Sequence, residues 1–211
     1  MRQRPFPFLF VLVALIFLAS AGTSAAGGKA VTMPGTYENW NGDIDHLTIV
    51  QPFKAADYKR IVVTPVQTND VNLPDESEST YQPVKDALAK STENFVTGLR
   101  SKMQGKFVVE AGEIEGTAAG ALVVRSRVAK MDPGSRTGRA LGRSKLLHAM
   151  TDAAETRISG EIADAATGKI LLRFTQQRRA GLGVLGGAYE ELLRRTIRDI
   201  GGDVGRIIEA F

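Results

Sequence analysis

Three glycines, Gly181, Gly183 and Gly186, have the Gly-x-Gly-x-x-Gly spacing and stand between a segment of strand character and one of helical character. In a dinucleotide site that spacing lets backbone amides at a helix N-terminus approach a pyrophosphate. The wider unit is missing, because the following helix runs to residue 211 and leaves no second parallel strand or acid to meet a ribose. Close helix packing is the better expectation. Gly168-Lys169 resembles the end of a phosphate loop, but Ile170 stands where Ser or Thr must hold a magnesium ion. The segment also joins two strands, and Asp164 would repel a phosphate. His46 and His148 have no partner at ligand spacing. They are expected to be surface or structural histidines. The acidic stretch 69–79 carries Asp70, Asp75, Glu76 and Glu78 but lacks the glycine of a calcium loop, so a solvated loop is expected. No catalytic residue, metal or cofactor is expected.

The residues best suited to contact a partner are Arg136, Arg139, Arg143 and Lys145. No acid interrupts them, and Gly134, Gly138 and Gly142 keep the backbone adaptable. Guanidinium groups suit bidentate capture of carboxylate or phosphate. The competing expectation is a solvated loop whose charges pair with Asp132, Asp152 or Glu155. Trp40, the only tryptophan, is expected to pin the N-terminal segment to the domain rather than to bind a ligand.

These residues need a scaffold, and its centre is the stretch 155–179. Thr156, Ile158, Gly160 and Ile162 alternate with Arg157, Ser159 and Glu161; after a turn, Ile170, Leu172 and Phe174 alternate with Leu171, Arg173 and Thr175. Period-two alternation marks half-buried strands. Asp164 and Gly168 suit the turn between them. Residues 61–66 read as a strand buried on both sides, 106–110 as a short strand and 121–131 as a long one. Residues 83–103 predict one amphipathic helix with Val84, Leu88, Phe95, Leu99 and Met103 on a stripe. A second helix is expected from about residue 188, with Tyr189, Leu193, Ile197, Ile200, Val204, Ile207 and Phe211 inward. Gly201, Gly202 and Gly205 weaken that helix, and close packing on the sheet would explain them.

Composition limits the function classes. Arg2 and Arg4, the apolar run 8–19 and the small residues Ala19, Ala21 and Ala26 form a secretory signal. Cleavage is expected after Ala21, with Ala26 as the alternative. The apolar run is short for a bilayer span, which needs about 20 residues. The whole chain has 27 basic and 23 acidic residues; removing Arg2 and Arg4 leaves 25 against 23, too balanced for a general nucleic-acid binder. With no cysteine there is no disulfide, thiolate site or lipidated N-terminal cysteine. The expected organisation is a signal over 1–21, an arm over 22–57 with one short strand near 47–50, and a single domain over 58–211. Localisation is expected to be periplasmic or secreted.

The run Met131-Asp132-Pro133-Gly134-Ser135-Arg136, then Arg139-Ala140-Leu141-Gly142, then Asp164-Ala165-Ala166-Thr167-Gly168-Lys169-Ile170-Leu171 and the later glycines, resembles the exported bacterial family called domain of unknown function 4410 (DUF4410). The similarity covers roughly residues 58–211. It implies a cell-envelope α/β domain and supplies no catalytic residue. This chain departs from the family in lacking a lipobox cysteine and in carrying Arg143–His148 where the family is richer in glycine. The expected fold is α+β, a two-layer sandwich with a mixed, mostly antiparallel sheet of about five strands and two long helices; a three-layer arrangement is the alternative. The expected function is a non-catalytic binding or assembly module for a protein or anionic envelope partner, with no nucleic acid. A small periplasmic hydrolase or a small-anion-binding domain is the alternative.

Overall fold

The computed structural model describes residues 30–114, 118–134, 153–181 and 188–211. The signal segment, Arg136, Arg139, Arg143, Lys145 and His148 lie outside the described residues, as do Gly183 and Gly186. The fold is α+β. Seven strands form one mixed sheet, two more than expected. In chain order they are β1 (Gly35–Trp40), β2 (Ile44–Ile49), β3 (Arg60–Val63), β4 (Val108–Ala111), β5 (Ala121–Asp132), β6 (Ala154–Asp164) and β7 (Ile170–Ala180). Their spatial order is β1-β2-β7-β6-β5-β3-β4. β3 runs parallel to β4 and β5, and every other pairing is antiparallel.

The two additional strands come from the segment expected to be an arm. β1 and β2 form a hairpin whose turn places Asn39, Asn41 and Gly42 at positive φ. Asparagine tolerates that region, so a turn-rich sequence still closes a hairpin. β2 then pairs with β7, from His46 opposite Thr175 to Ile49 opposite Leu172. Trp40 is buried and donates from its indole nitrogen to the Val31 carbonyl at 2.8 Å, pinning the incoming chain as expected.

Among the described residues three helices accompany this sheet: α1 (Tyr81–Ala89), α2 (Ser91–Met103) and α3 (Tyr189–Glu209). The single helix expected over 83–103 is two, broken at Lys90. Lys90 leaves helical geometry (φ −101°, ψ 12°), and its carbonyl accepts both the Asn94 backbone amide at 3.0 Å and the Asn94 side-chain amide at 2.8 Å at the start of the second helix. The stripes behave as the spacing predicts. Val84, Phe95, Leu99 and Met103 are fully buried, as are Leu193, Ile197, Ile200, Val204 and Ile207. They meet Leu122, Val124, Val128, Ile158, Ile162, Leu172 and Phe174 from the sheet in one core.

The helical glycines serve a helix crossing, not the sheet contact expected of them. A Cβ at Gly201 would lie 2.2 Å from the Phe95 carbonyl oxygen, and one at Gly98 would lie 1.9 Å from that of Arg198. Only hydrogen fits where α2 and α3 touch backbone to backbone. At the β6–β7 turn, Asp164 Oδ1 accepts from the Thr167 amide at 2.7 Å and its hydroxyl at 2.8 Å, while Gly168 takes φ +68°. The Asp-Ala-Ala-Thr-Gly-Lys run is therefore a turn device here.

Candidate functional site

The outward side of β5, β6 and β7 carries a set of charged residues. A one-residue bulge between Val128 and Lys130 shapes it. Before the bulge, Arg125 and Arg127 point outward and Val124 and Val128 inward; after it, Met131 returns to the core and Lys130 and Asp132 face out. A single inserted residue reverses the alternation of everything beyond it.

Strand register arranges these side chains in rows. One row runs Thr36, Thr48, Arg173, Glu161, Arg125, and the next Glu38, His46, Thr175, Ser159, Arg127. Beyond them Gln177, Arg157 and Lys130 align, then Arg179, Glu155 and Asp132. Cross-strand neighbours pair within this pattern. Arg125 meets Glu161 at 3.1 Å, Ser159 and Thr175 share a hydroxyl hydrogen bond at 3.0 Å, and His46 Nδ1 lies 2.6 Å from Glu38. Arg127 reaches Asp70 of the acidic loop at 3.1 Å. His46 is thus the surface histidine its isolation predicts. Arg125, Arg127, Arg157, Glu161 and Arg173 thus share the outer side of the sheet.

Glu155 lies buried at the end of this face. Its two oxygens accept from Lys130 Nζ at 2.8 Å and Arg179 Nε at 2.7 Å. Burial pushes its carboxyl upward, but the hydrogen bonds and charges of Lys130 and Arg179 outweigh burial and hold it below the usual carboxylate range. Glu155, one of the three residues expected to pair with the basic run, is therefore engaged by cations of β5 and β7. An open cavity of about 930 Å³ adjoins it, lined by Leu73, Pro74, Met131, Asp132, Glu155 and Arg179 among others. The chain leaves the described residues at Gly134 and re-enters at Ala153, both on this cavity's wall.

On the helical side a second buried carboxylate, Asp203, accepts from Gln176 Nε2 at 2.7 Å and Arg178 Nε at 2.6 Å, and also pairs with Arg206. Gln176 donates in addition to the Asp43 carbonyl at 2.9 Å, and Arg206 reaches the Asp43 carboxylate at 3.1 Å. The network ties α3, β7 and the β1–β2 turn together. Sequence reasoning passed over Asp203, although its signal is present. It falls three residues after Ile200 and next to Val204, on the apolar stripe, where a charge must find a partner.

Among the described residues no group of three or more histidine, cysteine, aspartate or glutamate side chains could hold a metal ion, and no helix is long and apolar enough to cross a membrane. No family model and no curated protein matches the chain. Solved structures do resemble it in outline. The PelC dodecamer of Paraburkholderia phytofirmans aligns over 74% of this chain and 96% of its own at 10% identity and a TM-score of 0.41. The hypothetical protein CT253 of Chlamydia trachomatis aligns over 73% and 99% at 11% identity and 0.45. A minor lipoprotein of Acinetobacter baumannii aligns over 72% and 94% at 18% identity and 0.36. None of these likenesses transfers a residue's role.

Proposed function

We propose that this chain is an exported cell-envelope protein of the DUF4410 type, periplasmic or secreted after loss of its signal and carrying no lipid anchor. It acts as a non-catalytic binding or assembly module for a protein or anionic envelope partner. One observation carries this reading. The two buried carboxylates among the described residues, Glu155 and Asp203, are each held by two cations that join elements of the fold, whereas a set of exposed charges is laid out in register on the outer face of the sheet. On this reading the sheet is the outer layer of a two-layer sandwich. The basic run of Arg136, Arg139, Arg143 and Lys145 leaves and rejoins the described fold at the end of the same face, at Gly134 and Ala153.

The test is association of the exported protein with its envelope fraction, followed by crosslinking and sedimentation at 0.1 M and 1 M salt. Replacing Arg136, Arg139 and Arg143 by Gln is expected to release the protein, as is high salt, because the Debye length falls from about 10 Å to about 3 Å. The melting temperature should stay nearly unchanged, since exposed charges contribute only about 0–1 kcal/mol each. A triple variant that unfolds makes the arginines structural. One that remains bound as before removes them from the contact surface.

A further inference from the structure

Nine of the described arginines pair with a carboxylate: Arg60, Arg125, Arg127, Arg178, Arg179, Arg194, Arg195, Arg198 and Arg206. Three do not. Arg100 donates to the Val109 carbonyl and so caps the free edge of β4. The other two lie exposed on the outer face of adjacent strands. Arg157 donates only to the neutral amide of Gln177, and Arg173 has no hydrogen bond or ion pair with the described residues. Arg173 stands opposite Glu161 in register, yet Glu161 is taken by Arg125.

The register sets the spacing of the backbone positions of these two arginines. Arg157 is opposite Gln177, four residues along β7 from Arg173. At about 3.3 Å per residue along a strand and about 4.8 Å between strands, their Cα atoms are about 14 Å apart. The hydroxyl pair of Ser159 and Thr175 lies between them, able to donate to an acceptor. On the outer face of β5, β6 and β7 the charge is six cations, Arg125, Arg127, Lys130, Arg157, Arg173 and Arg179, against three carboxylates, Asp132, Glu155 and Glu161. A uniformly anionic bilayer would meet those carboxylates as well as the cations. A polypeptide can place its acids opposite the arginines alone. Carboxylates at i and i+4 of an extended chain recur about every 13 Å, close to the Cα spacing of the two arginines.

We propose that the outer face of β5–β7 docks an extended acidic segment of a partner protein, with Arg157 and Arg173 each binding a carboxylate through the guanidinium fork. This names the partner chemistry of the module proposed above and rests on that reading, but it assigns the contact to the sheet and not to the basic run.

The experiment follows the arginine Nε–Hε resonances of the purified protein during titration with a ten-residue extended peptide carrying Glu at i and i+4. The expected result is selective shifts at Arg157 and Arg173 and at least ten-fold weaker binding to the R157Q/R173Q variant. Moving the second Glu to i+2, or replacing both by Gln, should weaken binding similarly. R157K/R173K should keep the fold and the charge but lose much of the affinity, because an ammonium lacks the fork. Unchanged binding by R157Q/R173Q, or peptide shifts confined to other arginines, overturns the inference. Tighter binding to phosphatidylglycerol vesicles, abolished by the same two substitutions, overturns it in favour of a lipid surface. If R136Q/R139Q/R143Q abolishes envelope association while R157Q/R173Q does not affect the peptide, the module reading stands and the sheet assignment falls.

Discussion

The two faces of the sheet solve the problem of polar groups in opposite ways. On the helical face, Asp203 is 2% exposed and survives only because Arg178, Arg206 and Gln176 surround it. The guanidinium of Arg178 is in turn held charged, chiefly by its hydrogen bond to Asp203 and against the pull of burial. On the outer face, Arg125 and Glu161 meet at a similar distance with the arginine half exposed. Water reaches both partners of the second pair but only the guanidinium side of the first, where the Asp203 side chain itself is 3% exposed, so similar geometry has different worth. Asp203 on the inner face ties elements of the fold together, and most charges of the outer face share their pairs with water.

That contrast is broken most severely at Asp203. Replacing it by Ala leaves Arg178 and Gln176 facing a buried void, and the expected loss is about 3–5 kcal/mol, measured by urea unfolding. A loss below 1 kcal/mol would mean that water reaches the network and that the two faces are alike.

The α2–α3 crossing sharpens the comparison within a single pair of residues. Gly201→Ala forces a methyl group into the Phe95 carbonyl and should cost about 1–3 kcal/mol or more. At neighbouring Gly202 a Cβ meets its nearest atom, the Gly98 carbonyl oxygen, at 3.9 Å. Gly202→Ala should therefore stabilise the protein by up to about 1 kcal/mol through helix propensity. Opposite signs in thermal melts of the two variants are expected; equal signs would refute the backbone contact.

Glu155 belongs to the outer rows by register and to the interior by burial, and its effect is the smallest of the three. Its folded carboxyl titrates below the unfolded value, so the stability it contributes is present above the unfolded pKa. That contribution is lost as pH falls through the folded pKa. Unfolding curves across the acid range should flatten in Glu155→Gln. High salt should shrink the difference, because Lys130 and Arg179 are 48% and 66% exposed. An unchanged acid limb would show that the pair carries no pH dependence.

Alternation and helical spacing were legible because each records burial directly. The β6–β7 hairpin, the outward row of arginines, the stripe of α3 and the role of Trp40 followed from residue type and period alone. What escaped were features whose cause lies elsewhere in the chain. β1 and β2 are six residues each and turn-rich; β2 is placed as a strand by the edge of β7, and β1 by β2. The Val128–Lys130 bulge decides which face Lys130 and Asp132 occupy, and only pairing with β6 places it. The break at Lys90 interrupts an apolar stripe whose spacing continues across it, so periodicity alone does not reveal it.

By itself the sequence determined which residues are apolar at strand and helix periods, hence which faces must be buried. It also determined that an Asp within the α3 stripe needed a counterion, because an unpaired charge cannot remain in an apolar interior. Only the tertiary structure decided which counterions those are, since Arg178 and Arg206 reach Asp203 from different elements. It alone decided that the helical glycines face another helix and not the sheet. The same is true of Arg157 and Arg173, which lack carboxylate partners because strand register, a non-local pairing, gives Glu161 to Arg125.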